Sequence, residues 1–282
     1  METMNLYDSN EYIINLIKSN KPFFISRVGI GSETYSTYHY ETTGTIGRYE
    51  TLDNNAGIYY KNEADIKRYN TYYSNALKNS DALACWNDNV LKEQSYFIEK
   101  YKLPKLHYQV IEPFYQIEKN IIPFTHHLSD KKILIISPFI DSFIEQMDKQ
   151  FKLYKNTNIF LPKQKFVYYK SLNTSAGNRI ENHANWMHTY LQMIKEIKEL
   201  DFDVALVSCG GYGLPICNYI KEHMNKSSIY VGGGLQLFFG VIGNRWLSDL
   251  DWRQRIFESP SEFMRPKEIQ ENSEKVENSC YY

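Results

Sequence analysis

Phe202-Asp203-Val204-Ala205-Leu206-Val207-Ser208 is the stretch whose reading decides the fold. Its apolar centre is unbroken and short, the pattern of a strand buried on both faces of a parallel sheet. The glycine-rich turn Cys209-Gly210-Gly211-Tyr212-Gly213 follows, then a predicted helix from about Leu214 to Met224 with Pro215 at its start, a position that suits proline. Ser228-Ile229-Tyr230-Val231 closes a strand, helix, strand unit. Upstream, Lys131-Lys132-Ile133-Leu134-Ile135-Ile136-Ser137 repeats the buried-strand pattern, and Phe139 to Gln150 is the crossover helix that a parallel neighbour requires. Earlier still, a helix from about Asn10 to Lys18 leads into a first strand, Phe23 to Gly29, and a helix over Asn62–Lys78 leads into a second, Asp81 to Trp86.

Further helices are predicted over Asn89–Tyr101 and Ile180–Leu200, with an extended segment over Asn158–Tyr169. Pro104, Pro113 and Pro123 argue against long regular elements between Tyr101 and Asp130. The alternation predicts an α/β fold, a doubly wound, mostly parallel sheet with helices on both faces, forming one domain over residues 1–258. Residues 34–60, rich in Tyr, Thr and Gly, read as a loop or lid over the site, and the polar residues 259–282 as a loose tail.

Composition removes several function classes. The 282 residues are 43% apolar and 15% aromatic, enough for a large core, so disorder is excluded over most of the chain. Lys and Arg number 32 against 33 Asp and Glu, a balance unlike the broad positive footprint of a duplex-binding protein. Cys85, Cys209, Cys217 and Cys280 form no paired motif, which points to a reducing, cytoplasmic setting rather than a disulfide scaffold. No apolar run reaches the roughly 20 residues of a transmembrane helix, and Met1 to Asn20 does not read as a signal peptide. The apolar helices are compatible with a homodimer, although a core explains them equally well.

The candidate chemistry lies at predicted strand ends. Gly210, Gly211, Tyr212 and Gly213, between a buried strand and a helix, can converge backbone N–H groups on a phosphate; the plainer reading is a tight turn. Gly232-Gly233-Gly234 follows the next strand, with Gln236 placed to read a base or sugar hydroxyl, or to cap a helix. Arg245 adds a cation, or pairs with Asp249 or Asp251. The first strand ends in Ser26-Arg27-Val28-Gly29-Ile30-Gly31-Ser32-Glu33, where Arg27 can grip a phosphate with two N–H groups, and Glu33 can ligate an ion or accept a hydroxyl proton. Ser137 ends another strand, and Arg179 can neutralise phosphate. His183 falls near a predicted helix start, where the dipole keeps imidazole neutral and able to act as a base. No nucleophile-elbow pattern surrounds Ser137 or Ser208, which disfavours a serine-triad hydrolase; the context of Cys209 reads as that of a buried inert thiol.

Arg27 to Glu33, Ile135-Ile136-Ser137-Pro138-Phe139, the Gly210 to Gly213 loop, and Gly232 to Gly240 with Gly243-Asn244-Arg245-Trp246 together resemble the GT-D-fold glycosyltransferases of bacteria and giant viruses, a Rossmann-like group. The resemblance spans roughly residues 23 to 250. It implies transfer of a sugar from a nucleotide-diphosphate donor to a hydroxyl on a glycan, a lipid-linked glycan or a protein, often with a bound Mn²⁺ or Mg²⁺. The family pattern puts Asp, Gly and Glu directly after Arg-x-Gly, whereas here Ile30 holds the Asp position and Glu33 stands one residue late. A metal would then fall to Glu33. On this reading Glu33 or His183 is the base, and Arg27, Gly29, Gly31, Ser137, Arg179, Gly210–Gly213, Gly233, Gly234, Gln236 and Arg245 hold the donor or its phosphates. Two other classes stay open: a catalytically inactive nucleotide- or glycan-binding protein, and a methyltransferase, for which no acidic ribose contact is convincingly positioned after the first strand.

Overall fold

A computed structural model describes residues 2–29, 31–47, 49–85, 91–149, 153–154, 157–247 and 262–282. The helices are α1 (Leu6–Lys18), α2 (Ser32–Thr43), α3 (Glu50–Asn54), α4 (Glu63–Asn79), α5 (Lys92–Tyr101), α6 (Pro113–Glu118), α7 (Ile140–Gln146), α8 (Trp186–Ile197), α9 (Gly213–Met224), α10 (Leu235–Phe238) and α11 (Asn244–Leu247). The strands are β1 (Phe24–Arg27), β2 (Ala82–Cys85), β3 (Lys105–His107), β4 (Lys132–Ser137), β5 (Lys165–Lys170), β6 (Val204–Val207) and β7 (Ser227–Tyr230). Among the described residues they form one sheet in the order β3-β2-β1-β7-β6-β4-β5, with every neighbouring pair parallel.

Strand alternation divides the core into two layers. Ile133, Ile135, Val204 and Leu206 pack with Ile13 and Ile14 of α1 and Phe143 of α7. Their neighbours Leu134, Ile136, Ala205 and Val207 pack on the other face with Tyr69 and Tyr73 of α4, Trp186 of α8 and Ile216 of α9. Continuous apolar runs in β4 and β6 are thus required by burial on both sides, and the fold is a Rossmann-like doubly wound α/β sheet. From β4 the chain moves outward to β5, but from β6 it moves inward to β7. Between β4 and β6 it therefore changes direction, the place where open sheets of this kind form a crevice beyond their strand ends.

Local signals explain the element boundaries. Asn62 starts α4 by accepting N–H bonds from Ala64 and Asp65, a cap worth about 1 kcal/mol. The helix expected over Ile180–Leu200 begins only at Trp186, because Asn182 adopts a left-handed φ of 67° and Asn185 supplies the cap to Met187 N–H. His183 consequently lies in the preceding turn and has no place in the first helical turn. Residues 34–60 were expected as an irregular excursion, yet they hold most of α2 and all of α3; Gly44, left-handed at φ 73°, ends α2. β3 is a three-residue edge strand inside the proline-containing region, too short for an apolar pattern to reveal. Trp86, Asn89, Gln150, Asp249, Asp251 and residues 259–261 lie outside the described residues.

Residues 262–282 do not form the loose tail expected from their polarity. Met264 bridges Val241 in a short parallel pairing, and Val276, Cys280 and Tyr282 are buried. Polar side chains anchor the segment: Gln270 Nε2 donates to the carbonyls of Asn173 and Ser175, and Asn54 Nδ2 donates to Lys275 O. A segment held by side-chain bonds to loop carbonyls needs no apolar period, which is why composition misread it.

Candidate functional site

A cavity of about 390 Å³ opens where the strands end. The carboxyl ends of five strands reach it: Arg27 at the end of β1 and Gly29 beyond it, Pro138 after β4, Ser171 and the following loop after β5, Ser208 to Gly210 after β6, and Tyr230, Gly232 and Gly233 around the end of β7. The predicted strand-end loops that carry Arg27, Gly210 and Gly233 meet at one rim.

Arg27, the last residue of β1, is buried and points across the β7 loop. Its Nη1 donates to Val231 O at 2.6 Å, and its Nη2 lies 3.6 Å from Glu112 Oε1. The three consecutive glycines have separate steric reasons. A Cβ at Gly232 would stand 3.1 Å from Arg27 Nη1, one at Gly233 would stand 2.5 Å from the Tyr281 ring, and one at Gly234 would stand 2.9 Å from Glu112 Cγ. The triplet therefore lets a guanidinium, a phenol and a carboxylate approach one backbone turn. Burial pushes the Glu112 carboxyl up, while Arg27 and then Arg245 pull it partly back.

Glu33, in the first turn of α2, lines the same cavity. Burial raises its pKa, and a hydrogen bond to its own backbone only partly offsets this. Two phenols near it are committed as donors to the β6 loop: Tyr69 OH to Gly211 O at 2.8 Å and Tyr230 OH to Gly210 O at 3.0 Å. Cys209 lines the cavity as well, but burial pushes its thiol far up, so it carries no thiolate at neutral pH.

One wall joins Arg245, named from the sequence, to a C-terminal segment that carries no motif. Arg245 of α11 lies with its guanidinium 4.8 Å from the Tyr281 ring centroid, and its Nη2 donates to Glu277 Oε2 at 2.6 Å. Tyr282 stacks edge-on against Phe139, and its hydroxyl accepts from Asn173 Nδ2. Glu277, Tyr281 and Tyr282 thus enter the site from a segment with no motif. Glu112 was missed for the same reason, since its only local signal is the Pro113 that follows and starts α6.

Of the residues singled out in the sequence, Arg27, Gly29, Glu33, Gly210, Tyr212, Gly233 and Arg245 line the cavity. Tyr212 does so as an anchor whose hydroxyl donates to Gly57 O. Gly211 and Gly213 pack behind it, against Ile58 and the Tyr230 ring, and Gly234 packs on Glu112. Gly31 caps α2 with φ 96° and is not among the lining residues. Ser137 is fully buried, its Oγ accepting from Phe139 N–H. Gln236 is also fully buried, with Nε2 donating to Tyr281 O, so it holds the C-terminal segment in place. Arg179 sits away from the cavity, paired with Asp53 at 2.5 Å and lying over the Tyr59 ring. His183 is also outside it, with Nδ1 3.0 Å from Thr189 Oγ1, an oxygen shared with Tyr59 OH.

The described residues do not fit a divalent cation. Among the described residues no group of three His, Cys, Asp or Glu side chains is placed to hold a metal. Glu112 is engaged with Arg27, Glu277 is engaged with Arg245, and Ile30, at the position where the resemblance expects Asp, lies outside the described residues.

A GT-D fold-like domain occupies residues 112–238. The match covers less than half of the chain, beginning at Glu112 and taking in β4 to β7, and leaves out Arg27, Glu33, Arg245 and the C-terminal wall. No curated protein and no solved structure matches the chain. No described helix is long and apolar enough to cross a membrane.

Proposed function

We propose that the chain is a glycosyltransferase that moves a sugar from a nucleotide-diphosphate donor to a hydroxyl acceptor in glycan synthesis. One observation carries this reading: on a sheet whose residues 112–238 match a GT-D fold-like domain, two guanidinium groups and the carboxyls of Glu33 and Glu277 line a single cavity at the strand ends. Arg27 and Arg245 supply positive charge for a leaving diphosphate, and Glu33 accepts the acceptor's proton. The acceptor oxygen forms its bond to the anomeric carbon as the bond from that carbon to the phosphate oxygen breaks. The nucleoside diphosphate leaves with the electron pair, and the proton passes to Glu33. Between the two bases considered, cavity geometry favours Glu33 over His183.

A panel of nucleotide sugars tested by thermal shift, followed by a nucleotide-release assay with glycan, lipid-linked and peptide acceptors, tests the reading. Glu33→Gln lowers turnover by about 100-fold or more while donor affinity stays within a fewfold. A base must be ionised, so wild-type turnover climbs with pH through a midpoint above the ordinary Glu value of about 4.3, and the variant lacks that limb. Unchanged turnover in Glu33→Gln removes the base assignment, and no stabilisation by any nucleotide sugar removes the donor site. A catalytically silent nucleotide- or glycan-binding protein has one observation in its favour: burial holds Glu33 toward its protonated form, which accepts no proton. Donor binding without acceptor-dependent nucleotide release selects that reading.

A further inference from the structure

The cavity contains a carboxylate where a phosphate could sit. Glu277 Oε2 is 2.6 Å from Arg245 Nη2, both residues line the cavity, and both side chains are partly open to solvent, at 55% and 33% exposure. Arg27 lines the same space but is fixed from behind, by Val231 O and by Glu112. The two guanidinium groups therefore differ in what a ligand must do to reach them. Arg27 keeps its backbone anchor, whereas Arg245 must exchange one anion for another. Ser171, at 5% exposure, lines the same space after β5.

We propose that the cavity binds the diphosphate of its ligand without a divalent cation, on the guanidinium groups of Arg27 and Arg245, and that Glu277 is the internal anion displaced from Arg245 when the ligand enters. This rests on the donor-site reading and departs from the metal-bearing acidic loop that the resemblance implies. Arg245, once Glu277 has left it, offers a full positive charge to the diphosphate, while Arg27, which stays beside Glu112, adds N–H donors, and guanidinium presents paired N–H donors to phosphate oxygens. Of the two acids that line the cavity, Glu277 is the partner of Arg245, and Glu33 is left as a single carboxyl with no group of three metal-binding side chains among the described residues. Displaced Glu277 moves toward solvent, which it already meets along much of its side chain.

Isothermal titration of the full chain decides the matter, using UDP, GDP, ADP, CDP, dTDP and inorganic pyrophosphate as probes, each in EDTA and again with MnCl₂. The expected result is that at least one nucleoside diphosphate binds in EDTA within about twofold of its affinity in manganese, and that pyrophosphate binds more weakly in both. Arg245→Gln weakens that binding by about tenfold or more, the usual scale for losing one charge-assisted contact. Glu277→Gln tightens it by about threefold or more, because the competing anion is gone while the side chain keeps its shape. Binding that appears only with manganese overturns the cation-free site and leaves the donor reading standing. Failure of every probe in both conditions overturns both. Unchanged or weaker binding in Glu277→Gln, with unchanged thermal stability, overturns the displaced-anion role.

Discussion

Two arginines that line one cavity are each paired with a glutamate, and the two pairs differ in burial. Arg27 and Glu112 are nearly sealed, with side-chain exposures of 10% and 8%, and the guanidinium also bonds a backbone carbonyl. Arg245 and Glu277 lie closer together, yet their exposures are 33% and 55%, and Glu277 comes from the C-terminal segment. The shorter distance belongs to the pair from which the smaller effect on stability is expected. Solvent screens an exposed pair to about 0–1 kcal/mol, whereas removing one member of a buried pair leaves an uncompensated charge and costs about 3–5 kcal/mol. Burial, and not contact distance, separates a structural pair from an exchangeable one.

The largest effect should follow from breaking the sealed pair. Arg27→Leu strands the Glu112 carboxyl, already pushed up by burial, and removes the donor to Val231 O. Urea unfolding of this variant should show a loss of about 3–5 kcal/mol. The double variant Arg27→Leu, Glu112→Leu should recover most of it, since no buried charge then remains. A loss below about 1 kcal/mol for the single variant would show that the two pairs are alike.

How much of this contrast could be read in the sequence depends on range. β4 and β6 announced themselves because burial on both faces leaves an apolar run, and Arg27, Gly210 and Gly233 followed because parallel strands must deliver their ends to one edge. Pairing across the fold leaves no such trace. Glu112 and Glu277 are separated from their arginines by long stretches of chain, and nothing local marks either as a partner. His183 was misplaced because the helix was started before the turn at Asn182, where a left-handed residue precedes the true cap, and Arg179 because its charge is spent on Asp53 and the Tyr59 ring. The tail was misjudged because its order comes from Gln270, Asn54 and backbone bonds of Asn244 and Arg245 to Tyr282 and Cys280, none of which is periodic.

An intermediate effect should come from loosening the wall that carries the exchangeable pair. Gly233→Ala puts a methyl group 2.5 Å from the Tyr281 ring, and the ring, at the end of a side chain, must shift. The expected cost is about 1–3 kcal/mol, the range for overpacking. Hydrogen exchange should quicken across residues 262–282 while β4 and β6 keep their protection. Equal quickening in the sheet would mean that the segment is part of the core and not a wall laid against it.

Arg245→Gln should have the smallest effect on stability and is the sharpest probe of the contrast. It removes the contacts to Glu277 and Cys280 Sγ and the cation near Tyr281 and Trp246, but leaves Asn244 N–H on Tyr282 O and Gln236 on Tyr281 O to hold the segment. The unfolding free energy should fall by less than about 1 kcal/mol, and less still at high salt, where the exposed pair is already screened. A residue that lines the cavity, contributes little to folding and nevertheless holds a charged partner keeps its charge for something other than the fold. If Arg245→Gln costs as much as Arg27→Leu, Arg245 is a structural residue, and the asymmetry between the two pairs disappears.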